Sequence, residues 1–253
     1  MTGVQTCALP ISWHGHTLVG TTDTPIEHAG LEPVPMEQEI EFMLSTASLY
    51  LAKKPTKQDI LSTFAGIRPL LRSGDSKNTA AFSRDHAILI DPSGLVNIAG
   101  GKWTTYRNMA EHCVDQAATL AGLTERPSVT KHLNIHGFHQ HAERFGSLAF
   151  YGVDAPFIQE IIRADASLGE PMHPALPYCA AEVVWAAREE MARSVEDVLA
   201  RRTRALFLNA RAAIQMAPRV AQILAKELGR NQQWQENQIQ LFEELAKGYL
   251  VKG

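Results

Sequence analysis

The chain has 253 residues, of which 45% are hydrophobic and 20% are charged, and its formal net charge at pH 7 is -3. This composition is typical of a globular protein with a substantial core, and the small negative charge argues against a general nucleic-acid-binding role. No apolar run approaches the roughly 20 residues that a membrane-spanning helix requires.

Residues 1–12, "MTGVQTCALPIS", carry no charge and show neither a helical nor a strand period. They also lack the basic start and the long apolar run of a signal peptide. The stretch "GVQTCALPI" resembles the conceptual translation of a common sequencing adaptor. We therefore expect residues 1–12 to be a non-native segment, and we leave them out of the predictions of fold.

The next part of the chain alternates short strand-like runs with Gly, Pro and Asp punctuation. "HTLVG" at residues 16–20 predicts a strand without a preceding partner, and apolar spacing predicts a helix at about 36–52. "DILSTFAGIRPLL" at residues 59–71 is also strand-like. "HAILIDPSGLVNIAG" at residues 86–100 predicts a hairpin, because Asp-Pro-Ser-Gly supplies turn residues between two apolar runs.

The second half of the chain has a helical texture. A helix at about 104–121 should end at Gly122, and the chain from about 140 onward contains no strand-length β-branched run. Ser194 and Asp197 have the spacing of a capping box, and Pro218 should kink or split the helix that contains it. The expected helices span 140–150, 154–164, 179–192, 194–203, 204–228 and 232–249.

The stretch "GGKWTTYR" at residues 100–107 joins a predicted strand to a predicted helix. Two glycines allow a ligand to approach the backbone closely, and the start of a helix offers unpaired N–H groups that favour an anion. Lys102 adds a mobile positive charge, and Thr104 or Thr105 can cap the helix or donate to a ligand. An ordinary strand–turn–helix junction with a threonine cap explains the same residues equally well.

Two arginines stand beside strand ends rather than on a helix face. Arg68 is followed by a proline, and Arg84 precedes the strand that starts near residue 86. Oriented guanidinium groups bind carboxylate or phosphate, and burying Arg68, Arg84 and Lys102 together costs several kcal/mol per ion unless an anion is shared. Ordinary surface ion pairs, such as Arg84 with its neighbour Asp85, remain the alternative.

Other reactive side chains give no compact pattern. The histidines do not have a metal-ligand spacing, so we expect no metal site, and Cys7, Cys113 and Cys179 are scattered, which favours a reducing compartment. In "GTTDTP" at residues 20–25, Asp23 is more typical of a turn residue than of a base. The basic run "RRTR" at residues 201–204 is too short for nucleic acid and should anchor helices through ion pairs.

Five stretches in order resemble the FAD-dependent glycerol-3-phosphate dehydrogenase family, in its mitochondrial-like branch. They are "VGTTDTP", "FAGIRPLL", "SRDHAILID", "GLVNIAGGKWTTYRNMAE" and "RRTRALFLN". The resemblance covers about residues 13–253 and implies an α+β fragment of an FAD-binding oxidoreductase followed by an all-α C-terminal domain. Residues 13–122 would be substrate-domain strands with the last strand and helix of the FAD domain, and residues 123–253 a helical cap.

The resemblance also implies roles for individual residues. It puts Arg68 and Arg84 on the substrate phosphate or the adjacent reaction site, with Thr22 as a further substrate contact. Lys102 would lie beside the flavin ring and the reacting carbon, and Arg68 and Lys102 would be the catalytic residues. The loop at the pyrimidine edge of the flavin would consist of Gly100, Gly101, Lys102, Trp103 and Thr104.

The implied reaction transfers a hydride from sn-glycerol 3-phosphate to FAD and gives dihydroxyacetone phosphate. Electrons would pass to a quinone, or to oxygen as in the oxidase relatives, from an enzyme on the cytoplasmic face of a bacterial inner membrane. The family's Rossmann-type segment and calcium-binding extension have no counterpart here, so we expect weak FAD binding, little activity of this chain alone and no calcium regulation. Alternatives are another FAD-dependent amine or hydroxy-acid oxidase, and a helical interaction module at residues 123–253.

Overall fold

The structure is a computed structural model that describes residues 9–68 and 85–251. The strands are β1 (Leu9–Trp13), β2 (His16–Gly20), β3 (His86–Ile90), β4 (Val96–Gly100), β5 (Pro171–His173) and β6 (Leu176–Cys179). The α-helices are α1 (Glu37–Ala47), α2 (Tyr106–Leu120), α3 (Ala155–Ala164), α4 (Ala180–Arg188), α5 (Ala205–Leu208), α6 (Ala210–Leu228) and α7 (Gln232–Lys247). Short 3-10 segments occupy Lys57–Asp59, Trp103–Thr105, Ala142–Asp154 and Ala166–Gly169, and a π-helix occupies Asp197–Arg202.

The chain divides into two compact units. The larger one combines residues up to 66 with residues from 137 onward, and the smaller one contains residues 67–136. The division at residue 122 made from the sequence concerns the domains of the whole protein and stays a prediction. In the part of the chain that the structure describes, no helix is both long and apolar enough to cross a membrane.

The smaller unit contains the predicted hairpin. Strands β3 and β4 pair antiparallel from His86 with Gly100 to Ile90 with Val96, as the sequence predicts. Helix α2 follows and ends before Gly122, which has a φ of 66°. The N–H of Leu123 donates to the carbonyl of Ala118 at 2.9 Å, so the expected glycine stop is confirmed as a Schellman-type C-cap.

The larger unit begins with a hairpin that the sequence predictions missed. Strand β2 pairs antiparallel with β1, so the expectation of a strand without a preceding partner was wrong. Between them His14 and Gly15 have φ values of 49° and 76°, the left-handed pair that a tight hairpin turn needs. The sequence did not predict this pairing, because residues 1–12 show no strand period.

Residues 60–66 are not a strand, contrary to the prediction for residues 59–71, of which 69–71 lie outside the described residues. The segment is extended, but its backbone groups bond to the ends of C-terminal helices. The N–H of Thr63 donates to the carbonyl of Tyr249 at 2.9 Å, and the carbonyl of Leu61 accepts from the N–H of Ala210 at 3.1 Å. Helix termini carry unpaired groups, and they replace the neighbouring strand that a sheet would supply.

The chain beyond residue 140 is helical with one exception. Strands β5 and β6 form a small antiparallel hairpin at "PMHPALPYC", a stretch that the prediction of an almost entirely helical region did not anticipate. Pro171, Pro174 and Pro177 lack the N–H that a helix interior requires, so a continuous helix is excluded there. The expected helix at 140–150 is a run of 3-10 turns instead, interrupted at Gly146 and Gly152.

Two local predictions can be compared with the structure at helix starts. Ser194 and Asp197 exchange backbone-to-side-chain hydrogen bonds of 3.0 Å each, so the predicted capping box is confirmed. The predicted helix 204–228 is split at Asn209, whose side chain accepts from the N–H of Ala212 and caps α6. Pro218 lies inside α6 without splitting it, and a kink at this residue stays a prediction.

The core of the larger unit is built around α6. Its buried face carries mainly small side chains, which let α4 and α7 pack closely against it. Phe242 of α7 and Met216 of α6 are among the largest fully buried side chains, and they fill the space that the alanines leave. The buried alanines of α6 are Ala210, Ala212, Ala213, Ala217, Ala221 and Ala225.

A buried carboxyl group lies at the start of α4. Glu182 is 2% exposed and accepts a hydrogen bond of 3.0 Å from the hydroxyl of Tyr151 and one of 2.7 Å from the N–H of Cys179. Burial raises the pKa of Glu182 to about 7, although these hydrogen bonds act in the opposite direction. The side chain therefore links the 3-10 segment, β6 and α4 at the cost of holding a titrating group in the core.

This burial predicts a pH-dependent stability. The folded pKa lies above the unfolded value, so the contribution of Glu182 is fully present below about pH 4 and is lost as the pH rises through about 7. Between pH 5 and pH 8 we expect the group to remove about 3 kcal/mol of unfolding free energy. Urea denaturation of Glu182→Gln should show a flatter pH profile, and Glu243→Gln on the exposed face of α7 should match the unmodified chain. Parallel profiles for the Glu182 variant and the unmodified chain would contradict this account.

Candidate functional site

In the smaller unit, a tight turn joins β3 to β4, and β4 leads into a loop that begins at Gly100. Between the strands, the N–H of Gly94 donates to the carbonyl of Asp91 at 2.8 Å, and the Asp91 carboxylate accepts from the N–H of Ser93 at 2.8 Å. The hydroxyl and the N–H of Ser93 lower the pKa of Asp91, so the carboxylate form is favoured in the turn. Because the turn fixes the register, Gly100 lies opposite His86 at the last position of β4.

Two glycines in succession turn the chain out of β4. Gly100 and Gly101 have φ values of 75° and 79°, which residues other than glycine rarely adopt. A Cβ at Gly101 would lie 2.5 Å from Sδ of Met109 and 3.2 Å from Cβ of His86. Glycine is therefore favoured at Gly101 by its backbone conformation, and an added Cβ would also require the end of the Met109 side chain to shift.

The loop then enters a helix through a 3-10 turn. Lys102 has extended dihedral angles, and its carbonyl accepts from both the N–H and the hydroxyl of Thr105, each at 2.9 Å. Thr105 thus closes the turn by bonding back to Lys102, and the structure records no side-chain cap on α2. The N–H groups of Trp103 and Thr104 open the helical segment, where no intrahelical acceptor exists for them.

The side chains of this loop are presented to solvent. Trp103 is 84% exposed and stacks on Tyr106 with ring centroids 5.2 Å apart and an interplanar angle of 22°. Lys102 is exposed too, and its ammonium group has no ion pair within the part of the chain that the structure describes. Free N–H groups, a cation and a flat aromatic surface can together bind a planar group that carries negative charge.

Hydrogen bonds between side chains connect the elements that flank the loop. Nε2 of His86 and Nδ1 of His112 form a hydrogen bond of 3.0 Å between β3 and α2. Arg107 donates to Glu111 at 2.5 Å and to the hydroxyl of Thr130 at 3.2 Å. The sequence did not indicate roles for His86, His112 or Tyr106; only the three-residue spacing of Trp103 and Tyr106 on a helix could have indicated one of these contacts.

Thr22 lies in the larger unit, in the turn after β2. The hydroxyls of Thr22 and Thr24 donate to Oε1 of Glu39 at 2.8 and 2.6 Å, and the N–H of Met36 donates to Oε2 at 2.8 Å. Burial alone would raise the pKa of Glu39, but the hydrogen bonds from Thr24, Met36 and Thr22 outweigh it and lower the pKa. Because the Thr22 hydroxyl already donates its hydrogen bond to Glu39, it can only accept hydrogen bonds from a substrate.

The predicted arginines are placed differently. Arg68 belongs to the smaller unit, as do all five residues of the predicted flavin loop. Arg84 lies outside the described residues. The five loop residues, Gly100 to Thr104, are therefore brought together by the chain itself, whereas the roles of Arg68, Arg84 and Thr22 stay predictions.

Metal and thiol chemistry receive little support. Among residues 9–68 and 85–251, no three His, Cys, Asp or Glu side chains converge in an arrangement that could hold a metal ion. Cys113 and Cys179 are free thiols, and burial raises the pKa of Cys179 to about 11. In the "RRTR" run, Arg201 pairs with Asp197 at 3.1 Å and with Glu196, both local to its own helical segment, and Nε of Arg202 lies 3.9 Å from Oε2 of Glu190.

Comparison with known proteins agrees with the sequence resemblance. The family model described as the C-terminal domain of alpha-glycerophosphate oxidase matches residues 96–238. A protein of Caenorhabditis elegans named probable mitochondrial glycerol-3-phosphate dehydrogenase is 35% identical over 257 residues, covering 91% of this chain and 35% of that protein. The mitochondrial glycerol-3-phosphate dehydrogenase of Mus musculus is 32% identical over 262 residues, covering 95% of this chain and 35% of that protein.

A solved structure is similar as well. The X-ray structure of the glycerol-3-phosphate dehydrogenase from Bacillus halodurans complexed with FAD superposes with a TM-score of 0.75 and 25% sequence identity. The match covers 96% of this chain and 51% of that one. The chain therefore spans about a third of the length of these two curated relatives and about half of the bacterial structure.

The glycine pair gives a testable prediction for the loop. Gly101→Ala introduces a left-handed alanine, which costs about 1–2 kcal/mol, and also a contact with Met109 that Gly94→Ala lacks. Gly94 has a φ of 86° and open space around its Cβ position, so it serves as a control for backbone strain alone. Hydrogen exchange of the α2 amides should be faster in Gly101→Ala than in Gly94→Ala, and equal protection in the two variants would refute a packing role for Gly101.

Proposed function

The chain belongs to the family of the C-terminal domain of alpha-glycerophosphate oxidase, and from this membership we propose that it forms part of an FAD-dependent glycerol-3-phosphate dehydrogenase. The proposed reaction oxidises sn-glycerol 3-phosphate at C2 to dihydroxyacetone phosphate. The observation that carries the proposal is the exposed Gly-Gly-Lys loop at the start of α2, in a chain whose relatives are named glycerol-3-phosphate dehydrogenases.

The loop residues fit a flavin. Gly100 and Gly101 leave the backbone open to a flat ligand, and the N–H groups of Trp103 and Thr104 have no intrahelical acceptor. We assign these residues, with Lys102, to the pyrimidine edge of FAD. FAD, when bound, supplies the acceptor for the hydride that leaves C2 of the substrate.

Lys102 and the helix start have an electrostatic role in this proposal. Negative charge grows at the pyrimidine edge during hydride transfer, and a fixed cation beside a helix N-terminus stabilises it without reorganisation. The ammonium group is exposed and has no ion pair in the described part of the chain, so no carboxylate there offsets its charge.

The substrate phosphate is assigned to the two arginines. A guanidinium group binds phosphate through paired N–H donors, and two arginines supply the two positive charges that balance a phosphate dianion. We propose Arg68 and Arg84 for this role and Thr22 for a contact through its oxygen lone pairs. The proposed requirement for a phosphate separates this enzyme from an amine or hydroxy-acid oxidase of the same superfamily.

The electron acceptor is proposed to be a quinone. A quinone dissolves in the bilayer, so the whole enzyme would bind peripherally to the membrane that contains it, on the cytoplasmic face in a bacterium. The hydrogen bonds between residues 60–66 and the C-terminal helices do not favour the alternative that residues 123–253 form an independent interaction module. Residues 60–66 donate and accept hydrogen bonds at Leu206, Ala210 and Tyr249, so the helices are joined to the earlier chain.

The role of Lys102 can be tested in a chimera that joins residues 13–253 to the preceding part of the Bacillus halodurans enzyme. Lys102→Met removes the charge and keeps most of the volume. We expect kcat to fall about 100-fold or more, as for the loss of one preorganised electrostatic group, and the flavin reduction potential to fall as well. Lys131→Ala, an exposed lysine of the same unit, is the control. An unchanged kcat and potential in Lys102→Met would exclude the proposed role.

Arg84 is tested by substrate affinity in the same chimera. Arg84→Ala should raise the KM for glycerol 3-phosphate roughly tenfold or more, because a charge-assisted hydrogen bond to phosphate is lost. The KM for the quinone acceptor, which carries no phosphate, should not change. A KM for glycerol 3-phosphate equal to that of the unmodified chimera would count against the assignment of Arg84.

A further inference from the structure

A small cavity lies in the larger unit, and its lining contains none of the residues assigned above to the flavin or the substrate. Its volume is about 100 Å³, enough for several waters or one small ion. The side chains that bear on its chemistry are His14 of the first hairpin turn, Tyr151, Tyr178 and Glu182 around the start of α4, and Glu190 and Arg204 beyond it.

Backbone strain concentrates at this cavity. Among the described residues, the non-glycine positions with positive φ are His14 at 49°, Met191 at 59° and Arg204 at 62°. His14 and Arg204 line the cavity, and Met191 directly follows Glu190, which also lines it. A left-handed non-glycine residue costs about 1–2 kcal/mol, and such residues cluster at functional sites. The hairpin turn accounts for His14, whereas Arg204 precedes α5, where asparagine or glycine would be less strained.

Two hydrogen-bond donors at the cavity, on Tyr178 and Arg204, lack protein partners in the described part of the chain. Tyr178 is 7% exposed, and its hydroxyl makes no hydrogen bond within residues 9–68 and 85–251, although the side chain lines the cavity. The guanidinium group of Arg204 has neither an ion pair nor a hydrogen bond in the same residues. These two donors are therefore available to a ligand, and Oε2 of Glu190 at the same cavity is a buried acceptor without a hydrogen-bond partner among the described residues.

The protonation states favour donation into the cavity. Burial and then the charge of Arg204 lower the pKa of His14. Burial and Glu182 raise the pKa of Tyr178 to about 12, so the phenol keeps its proton, with Arg204 acting in the opposite direction. A guanidinium, a protonated phenol and a neutral imidazole are the groups that oxygen atoms of an anion would meet.

The proton on Glu182 sets the net charge of the site. The titratable and charged groups that face Glu182 are Tyr151 of the 3-10 segment, Tyr178 and Cys179 of β6, Glu190 after α4, and Arg202, Arg204 and His14 at the cavity. Burial raises the pKa of Glu190, and Arg202, whose Nε is 3.9 Å from Oε2 of Glu190, lowers it. When Glu182 is protonated, the two arginines face one carboxylate, and the cavity is positive.

We propose that this cavity binds one small oxyanion, held by the guanidinium group of Arg204 and the hydroxyl of Tyr178, with uptake of a proton by Glu182. Its chemistry is that of a free tetrahedral anion or a single carboxylate.

The proposal can be tested on the 253-residue chain by calorimetric titration with sulfate, whose charge is constant between pH 6 and pH 8. Ionic strength is held constant with chloride. We expect one sulfate per chain and an affinity that falls about tenfold from pH 6 to pH 8, since the bound state requires a proton on a group that titrates near 7. Glu182→Gln should remove the pH dependence.

Variants of the donors identify the site. Arg204→Asn tolerates the left-handed backbone and should weaken sulfate binding tenfold or more, whereas Arg219→Gln on the exposed face of α6 should leave it unchanged. Tyr178→Phe removes only a hydroxyl and serves as the second variant if Arg204→Asn does not fold. Acetate in place of sulfate tests the carboxylate form, and binding of either anion with this pattern supports the proposal. Failure of both anions to bind saturably, or binding that neither variant weakens, overturns it.

Discussion

The carboxyl group of Glu182 has to be satisfied inside the helical core, and the arrangement of the larger unit depends on this requirement. A hydroxyl from the 3-10 segment and an N–H from β6 bind its two oxygens, at 3.0 and 2.7 Å. Loss of either donor would leave a buried acceptor unpaired, which is more costly than the hydrogen bond itself is stabilising. The three elements are therefore fixed relative to one another at the start of α4, where the helices of the core begin.

The smaller unit depends on a different constraint, which is the space between β3 and α2. Gly101 lets α2 approach until Met109 and His86 leave no room for a side chain. The approach leaves the residues after Gly101 on the outside, so Lys102 and Trp103 face solvent at the beginning of the helix. The loop is thus exposed and positively charged, and the function proposed above uses it.

The sequence predicted features that depend on neighbouring residues. The hairpin at 86–100, the glycine stop at Gly122 and the capping box at Ser194 are confirmed, because turns, caps and helical periods are local. Residues 60–66 were misassigned because their hydrogen-bond partners lie about 150–190 residues later, at Ala210 and Tyr249. The five loop residues, Gly100 to Thr104, could be predicted as a group because they are contiguous in the sequence. The oxyanion cavity could not be found in this way, since separate segments contribute His14, Tyr151, Tyr178, Glu182 and Arg204.

The central claim is that this chain completes a flavoenzyme for a phosphorylated alcohol. The most direct test is an anaerobic titration of the flavin in the chimera of residues 13–253 with sn-glycerol 3-phosphate. The account predicts complete bleaching of the flavin absorbance, with one dihydroxyacetone phosphate formed per flavin and no bleaching by glycerol or by a 2-hydroxy acid. A flavin that glycerol 3-phosphate leaves oxidised, or that unphosphorylated alcohols reduce equally well, would contradict it.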